Sequence, residues 1–212
     1  MHQKNGRGRM GNKWHSHKGN LHFSTLIKPK INSEFWPQLS FISALAVKST
    51  LCHYLNKTDD IIKFKWPNDV FIENKKISGI LIETTDDQKA VVIGIGINLI
   101  SNPDIKNNYW KSINFFDYFG IKIIPEDVSI VLLKEIIKYI EIWYDKGFSY
   151  IKNLWINNAL FFNKEMRSLD LKKNFKGKFV GLGDLGQIIL QNEYNKIIQL
   201  SSGTLLPTQL MD

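Results

Sequence analysis

The sequence predicts an α/β fold, a mixed β-sheet with helices packed on it, followed by a small β-barrel. Short β runs alternate with two long helical segments up to Phe162, and only β runs follow that residue. The chain has 212 residues, of which 43% are hydrophobic and 23% charged, enough for one ordinary core and a small second unit. We therefore expect a larger domain over residues 1–162 and a barrel over residues 163–212.

The first half of the chain predicts a strand, a helix and four further β runs. Leu21, Phe23 and Thr25 alternate with polar residues, which is the period of a half-buried strand, and Pro29 ends it. Residues 37–56 carry apolar side chains every three to four positions, which predicts an amphipathic helix lying on the sheet. The β runs that follow are separated by turn-forming residues and cover 61–65, 70–72, 76–83 and 90–98.

The second half begins with another long helix. Pro125, followed by Glu126 and Asp127, is a typical helix start, and Gly147 should end that helix. A shorter helix is expected over residues 150–160. The β runs predicted for the barrel cover 178–182, 187–190 and 197–200, with a turn containing two glycines between the first two.

Composition excludes some classes of protein and leaves one alternative open. Four charged residues interrupt the most apolar stretch, 130–142, so no membrane span is expected. No apolar segment follows the first residues as in a secretory signal, and we expect the protein to stay in the cytoplasm. The net charge of +8 raises nucleic-acid binding as an alternative. Because the lysines occur as scattered pairs, the pattern favours an ordinary solvated surface.

The N-terminal segment contains the first motif that indicates chemistry. Residues 6–14 form the sequence Gly-Arg-Gly-Arg-Met-Gly-Asn-Lys-Trp, in which three glycines are interleaved with two arginines. Glycines let the backbone come close to a ligand, and arginines supply forked, permanently charged donors for phosphate or carboxylate. The motif predicts a loop that closes over an anion. Disordered RNA-binding segments have similar composition, but those segments repeat and this one does not.

A second motif places a lysine at the end of a β run. Lys65 directly precedes the rigid Trp66-Pro67 turn. A point charge there can hold a phosphate and stabilise charge that develops at a neighbouring carbonyl. The alternative is a solvated surface lysine beside a structural turn.

The third motif joins two glycine-bearing β runs. Gly79, Gly94 and Gly96 remove side chains where a flat heterocycle could lie. Lys76 offers a second positive charge, and the Asn98 amide could read the edge of an adenine. The alternative is a central strand with a turn asparagine and a solvated lysine.

The order and spacing of these motifs resemble those of the biotin protein ligase family, also called biotin–acetyl-CoA-carboxylase ligases. The resemblance extends over nearly the whole chain, and the Lys-Trp-Pro-Asn-Asp block with a Gly-Arg-Gly-Arg loop upstream is highly specific to that family. The matching blocks lie at residues 6–14, 19–21, 65–69, 76–83 and 94–98.

The resemblance implies a biotin/lipoate-ligase-type catalytic domain followed by an SH3-like barrel. It implies an ATP-dependent ligase that makes biotinoyl-AMP from biotin and ATP, with Mg²⁺ offsetting the phosphate charge. The biotin is then transferred to a lysine of a biotin carboxyl carrier protein. Neither DNA nor a membrane is expected as a partner, and a homodimer is left open.

The resemblance also implies roles for individual residues. The catalytic residues are Lys65, Arg7 and Arg9, and Trp14 and Asn98 lie by the nucleotide. No residue is expected to bind a metal. Residues expected to contact biotin or its adenylate are Gln3, Arg7, Gly8, Arg9, Lys65, Lys76, Gly79 and Gly96.

This chain departs from the family pattern at its start. Family members have a helix and a strand before the loop, with a Ser/Thr-Asn element that contacts the biotin ring, whereas this sequence begins almost at Gln3. The resemblance therefore implies either that the start of the sequence is placed too late or that this member lacks its first strand and helix. An inactive remnant of the family is the alternative within this interpretation. Lipoate or octanoyl transfer is the alternative of the same fold class, but those relatives lack the combined motifs.

Overall fold

The computed structural model describes residues 3–15, 17–56, 60–103, 109–169 and 175–208. In these ranges the chain forms two five-stranded sheets and three α-helices. No helix among the described residues is both long and apolar enough to cross a bilayer.

The first sheet has the strand order β1-β5-β4-β3-β2. Every pairing between its strands is antiparallel, so the prediction of a mixed sheet is wrong on this point. The physical reason is that short turns join β2 to β3 and β3 to β4, and a tight turn allows only antiparallel pairing. The strands are β1 (Leu21–Ile27), β2 (Ile62–Lys65), β3 (Asp69–Ile72), β4 (Lys75–Thr84) and β5 (Val91–Ile97).

Helix α1 (Leu39–Leu55) packs against the first sheet, after a short 3-10 turn over Ser33–Gln38. Its packing on the sheet confirms the prediction, but the helix is not amphipathic over its first half, because every residue from Leu39 to Val47 is buried. The face opposite the sheet is covered by a second helix. A helix that is apolar on all sides is a core helix.

The covering helix is α3 (Pro125–Ile156), which follows the short α2 (Phe115–Phe119). Pro125 stands in its first turn with Glu126 and Asp127, as predicted. Gly147 interrupts the helical geometry with φ 72° and ψ 173°, so the predicted break is confirmed. The helical part beyond it ends at Ile156, short of the predicted residue 160.

The C-terminal sheet is antiparallel, with the order β10-β6-β7-β8-β9. The three predicted β runs correspond to β7, β8 and β9. The strands β6 and β10, which are four and three residues long, were not predicted. The strands are β6 (Glu165–Ser168), β7 (Lys176–Leu182), β8 (Ile188–Gln191), β9 (Ile197–Leu200) and β10 (Leu205–Pro207).

The turn between β7 and β8 forms hydrogen bonds with residues next to the first sheet and next to α1. The carbonyl of Gly186 accepts a hydrogen bond from the buried indole of Trp66 at 2.9 Å. Gln38, itself buried, donates to the carbonyl of Asp184 at 2.6 Å and accepts from Trp143 at 2.7 Å. Gly186 has φ +82°, and a Cβ there would lie 2.5 Å from the Phe41 ring, so only glycine fits. The C-terminal sheet therefore holds the segment directly after Lys65.

Candidate active site

A row of directly paired residues crosses the first sheet. Lys65 on β2 pairs with Asp69 on β3, Asp69 with Gly79 on β4, Gly79 with Gly96 on β5, and Gly96 with His22 on β1. Residues directly opposite each other point to the same face of a sheet. This face lies opposite the helices. Strand pairing thus brings the motif of Lys65 and the motif of the two glycines onto one surface.

A β-bulge turns Lys76 toward the same surface. Val70 pairs with Ser78, but the next residue, Phe71, pairs with Lys76, so that Ile77 is the extra residue. With regular alternation Lys76 would share the helix face with Ser78. Its Nζ instead lies 2.6 Å from Oδ1 of Asp69. The bulge is what places the second lysine beside the first.

Lys65 is almost completely buried, with 7% of its surface exposed. Its Nζ lies 5.4 Å from the centre of the Trp110 ring, a cation–π contact. Burial lowers the pKa of Lys65. The charge of Asp69 opposes this shift, whereas the positive charges of Lys76 and Arg9 add to it. The lysine is thus a concentrated positive charge with little solvent around it.

The ring of Trp14 covers the two glycines at the centre of the row. A Cβ on Gly96 would lie 2.3 Å from Cζ2 of Trp14, and one on Gly79 would lie 3.0 Å from its Cζ3. Lys76 Nζ lies 5.7 Å from the centre of the same ring. The hypothesis that these glycines leave space for a ligand heterocycle is therefore corrected: they provide the seat for Trp14. Only the outer face of the indole is left for a planar ligand.

The loop over residues 6–14 is closed by backbone hydrogen bonds. Gly8 donates to the carbonyl of Asn12 at 2.7 Å, and Trp14 donates to that of Gly6 at 2.9 Å. A Cβ on Gly6 would lie 2.5 Å from the Trp14 carbonyl oxygen, so this position also requires glycine. The loop in this conformation is a narrow hairpin that ends in the ring of Trp14.

The two arginines of the loop contact the sheet. Arg7 forms an ion pair with Glu83 at 3.0 Å, exposed enough to contribute little to stability. Arg9 donates to Oδ1 of Asn68 at 3.5 Å, and burial lowers its pKa although Asp69 opposes the shift. Both contacts are weak ones that a ligand anion could replace.

Amides and an indole form one wall of the site. Asn98, which is buried, donates from Nδ2 to the carbonyl of Ile113 at 3.1 Å, and its Oδ1 has no partner among the described residues. Asn102 donates to the carbonyl of Ser112 at 3.4 Å. Trp110 packs edge-on against Phe71, with ring centres 5.3 Å apart. This wall offers an amide acceptor and an aromatic surface.

These groups surround one cavity of ≈ 1190 Å³. All ten residues that the sequence singled out lie around it, although Gly79 and Gly96 do so beneath Trp14. Gly203 and Thr204, from the C-terminal part of the chain, also line it. The ten residues are Gln3, Arg7, Gly8, Arg9, Trp14, Lys65, Lys76, Gly79, Gly96 and Asn98.

Sequence reasoning missed four residues of the site. Asn68 and Asp69 stand inside the motif that contains Lys65, so that motif was the available signal. Glu83 lies in the matching block 76–83, but no role was predicted for it. Trp110 has no local signal, because a loop brings it to Lys65 from 45 positions further along the chain.

The described residues include no cluster of three histidine, cysteine, aspartate or glutamate side chains that could hold a metal ion. The carboxylates beside the cavity, Asp69 and Glu83, are already paired with cations. The site is therefore dominated by positive charge and hydrogen-bond donors. Such an arrangement binds an anionic ligand with a planar part, and it stabilises negative charge that develops during a reaction.

The fold and site define an anion-binding α/β protein, and comparison with known proteins gives its family. Residues 1–99 match the biotin/lipoate A/B protein ligase family. The bifunctional ligase/repressor BirA of Bacillus subtilis strain 168 is 35% identical over 195 residues, which are 89% of this chain and 59% of that protein. The biotin–acetyl-CoA-carboxylase ligase of Paracoccus denitrificans is 28% identical over 88% of this chain and 80% of its own.

Solved structures agree with the sequence comparison. The biotin protein ligase of Aquifex aeolicus, in complex with biotin and ATP, superposes with a TM-score of 0.83 at 29% identity, covering 97% of this chain and 86% of that one. The chain belongs to the biotin/lipoate A/B protein ligase family. It spans 59% of the length of its Bacillus subtilis relative.

Proposed function

We propose that this chain is an ATP-dependent biotin protein ligase. It forms biotinoyl-5′-AMP from biotin and ATP, and then transfers biotin to a lysine of a biotin carboxyl carrier protein. The observation that carries this proposal is the pairing of Lys65 and Lys76 around Asp69, beneath a glycine-arginine loop. The named relatives, which include biotin ligases, support it. Because ATP is the second substrate, we expect the protein to act in the cytoplasm.

In the first step, a carboxylate oxygen of biotin attacks the α-phosphorus of ATP. A new P–O bond forms, the bond from the α-phosphorus to the α,β-bridging oxygen breaks, and pyrophosphate leaves. Lys65 would stabilise the charge that develops on the α-phosphate, since a preorganised and poorly solvated cation is most effective there. Arg7 and Arg9 would exchange their present partners, Glu83 and Asn68, for the ligand's anionic groups.

In the second step, the neutral amine of the acceptor lysine attacks the activated carbonyl. An amide bond forms, the bond from the carbonyl carbon to the phosphate oxygen breaks, and AMP leaves as an anion. The attacking nitrogen releases one proton, which passes to solvent. The same cationic groups would stabilise the departing phosphate, so one cluster serves both steps.

The two ends of the cavity suggest where each part of the intermediate lies. We assign the nucleotide to the end with Trp14 and Asn98, because a free indole face and an unpartnered amide oxygen suit an adenine. Gln3 and Gly8 lie along the loop and are assigned to biotin or its adenylate, together with Lys76.

Mg²⁺ is expected to arrive with the ATP phosphates rather than to be held by a protein cage. Mg²⁺ commonly keeps several waters and uses one or two carboxylates plus substrate phosphates. Within the described residues only Asp69 is near enough to the two lysines to act as such a ligand, and it is paired with Lys76. We assign no step to the metal.

The proposal is tested by two assays on the purified chain. The first is exchange of labelled pyrophosphate into ATP, with and without biotin, and the second is labelling of a carboxyl carrier domain. We expect exchange that depends on biotin, and loss of labelling when the acceptor lysine is changed to arginine. Parallel reactions with lipoate and octanoate test the other activities of the family. Exchange with lipoate but not biotin would overturn the proposal, as would no exchange with any acid.

We also expect the loop over residues 6–14 to become protected from trypsin when biotinoyl-AMP forms. Apart from the packing of the Trp14 ring, its contacts to the rest of the site are an exposed ion pair and one long hydrogen bond, so the part that carries Arg7 and Arg9 should open readily in the free protein. The intermediate would supply the missing contacts. The measurement is the rate of cleavage after Arg7 and Arg9 with no ligand, with ATP alone, and with biotin plus ATP. Equal rates in all three would argue against a closing loop.

A further inference from the structure

Asn20 belongs to a motif, residues 19–21, to which the proposed function gives no role. The next residue, Leu21, begins β1 and pairs with Ile97, the last residue of β5. Asn20 therefore stands where strand pairing ends, opposite Asn98 of the cavity wall. It also ends the connection that returns from Trp14 to the sheet.

The side chain of Asn20 is buried and fully occupied with one segment of backbone. Its Oδ1 accepts from the N–H groups of Leu99, Ile100 and Ser101, at 3.0, 3.1 and 3.2 Å. Its Nδ2 donates to the carbonyl of Ser101 at 2.8 Å. Three successive N–H groups that converge on one oxygen form a concave backbone turn of the kind that binds anions. Here a neutral amide of the same chain fills it.

Gly19 brings Asn20 against this segment. Gly19 has φ +88°, and a Cβ there would lie 2.0 Å from Cδ1 of Ile100. A side chain at position 19 would have to displace the side chain of Ile100, and φ +88° strains any residue other than glycine. The two residues therefore act together as a clamp on residues 99–101.

The clamped segment continues into the wall of the cavity on both sides. Asn98 precedes it, and Asn102 and Pro103 follow it and line the cavity. On its other side, Phe115 and Phe116 donate to the carbonyls of residues 98 and 99, at 3.0 and 2.8 Å. The start of α2 thus binds the carbonyls of residues 98 and 99, and Asn20 is the acceptor for the N–H groups of residues 99–101. Asn98 itself is also held by β4 and by the segment before α2, because its N–H donates to the Ile77 carbonyl at 2.9 Å and its Nδ2 to the Ile113 carbonyl at 3.1 Å.

We propose that Asn20 is a positioning residue for nucleotide binding, which acts by fixing residues 99–101 and so the place of Asn98. The inference rests on the proposed function, because that function assigns Asn98 to the adenine. Asn20 does not line the cavity itself. Its loss should therefore affect the nucleotide and leave biotin binding nearly unchanged.

The test compares Asn20→Ala with Asn20→Asp in the full chain. Alanine leaves three buried N–H groups without an acceptor, whereas aspartate keeps an acceptor oxygen for them and replaces the donor to the Ser101 carbonyl by a second acceptor. The matched control is Gln38→Ala, which removes a buried amide with two hydrogen bonds outside the cavity. The readouts are the KM values for ATP and biotin in pyrophosphate exchange, and amide hydrogen exchange at residues 99–101.

For Asn20→Ala we expect the KM for ATP to rise about tenfold or more, with the KM for biotin changed less than about twofold. The amides of residues 99–101 should exchange faster. Asn20→Asp should keep those amides protected, with a KM for ATP within about threefold of the unchanged protein. Gln38→Ala should lower the Tm and leave both KM values unchanged.

Three results would overturn the inference. One is a KM for ATP that stays within about twofold in Asn20→Ala, and another is an equal rise of both KM values, as in a purely structural defect. The third is Asn20→Asp with unprotected amides but normal ATP use, which decides the matter if Asn20→Ala does not fold. If the unchanged protein shows no exchange, the proposed function fails. The clamp is then judged from amide exchange and from ATP titration followed by tryptophan fluorescence.

Discussion

Lys65→Ala is expected to lower the rate of biotinoyl-AMP formation by about a hundredfold or more while leaving the fold intact. Loss of one preorganised charge beside the reacting phosphate typically costs about 3 kcal/mol in transition-state stabilisation. The burial of Lys65 makes solvent a poor substitute for it. Pyrophosphate exchange under saturating ATP and biotin measures this effect directly. Lys63→Ala is the matched control, because Lys63 lies on the same strand and face but outside the cavity.

Lys65→Met should also raise the Tm, and this separates the charge from the packing of the side chain. The pKa of Lys65 is lowered in the folded chain, so its charged form opposes folding. That penalty is fully present below the folded pKa and fades as the pH rises through it toward the ordinary value of 10.5. The stability gain of the methionine variant should therefore be larger at pH 7 than near pH 10. Exchange activity within about threefold of normal in either variant would remove Lys65 from the mechanism.

Gly96→Ala is expected to weaken nucleotide binding by about tenfold to a hundredfold. The new methyl group would lie 2.3 Å from the Trp14 ring, so the indole must leave its seat. Overpacking of this kind costs about 1–3 kcal/mol, and about 1.4 kcal/mol corresponds to tenfold in affinity. Titration of the protein with ATP, followed by calorimetry, measures the change.

Gly94→Ala provides the comparison for this result. Gly94 is two residues earlier on the same face of β5, but its Cβ would meet only ordinary contacts, the nearest at 3.6 Å. A double-mutant cycle with Trp14→Ala identifies the cause. If the clash with Trp14 is responsible, Gly96→Ala should have little effect in the Trp14→Ala background. Equal losses of ATP affinity from Gly94→Ala and Gly96→Ala would contradict a role for the packing of Trp14 on Gly96 and would indicate a general weakening of the strand.

The sequence was most informative where chemistry depends on local motifs. The loop over residues 6–14 and the block containing Lys65 need particular residue types at fixed spacing. The ten residues that the family resemblance implied for the site lie around one cavity. The break at Gly147 was also predictable, because a left-handed backbone position is a local property of glycine.

Features that depend on long-range contacts were not predictable in this way. The burial of α1 on all sides results from its packing against α3 and against the turn between β7 and β8. Neither contact can be predicted from the sequence of the helix itself. The bulge at Ile77 changes which face carries Lys76, and no residue type announces it. The seat of Trp14 required knowing that Gly79 and Gly96 are cross-strand partners.

The row from Lys65 to His22 couples catalytic competence to strand register. A slip of one residue between two strands would turn the slipped strand over, so that Phe64 would take the place of Lys65 or Val70 that of Asp69. Such a molecule would keep its β content and much of its compactness but carry no working site. During refolding, recovery of β-sheet circular dichroism and recovery of exchange activity should therefore be separable. The ratio of the two signals would count the fraction of chains that have assembled with the native pairing.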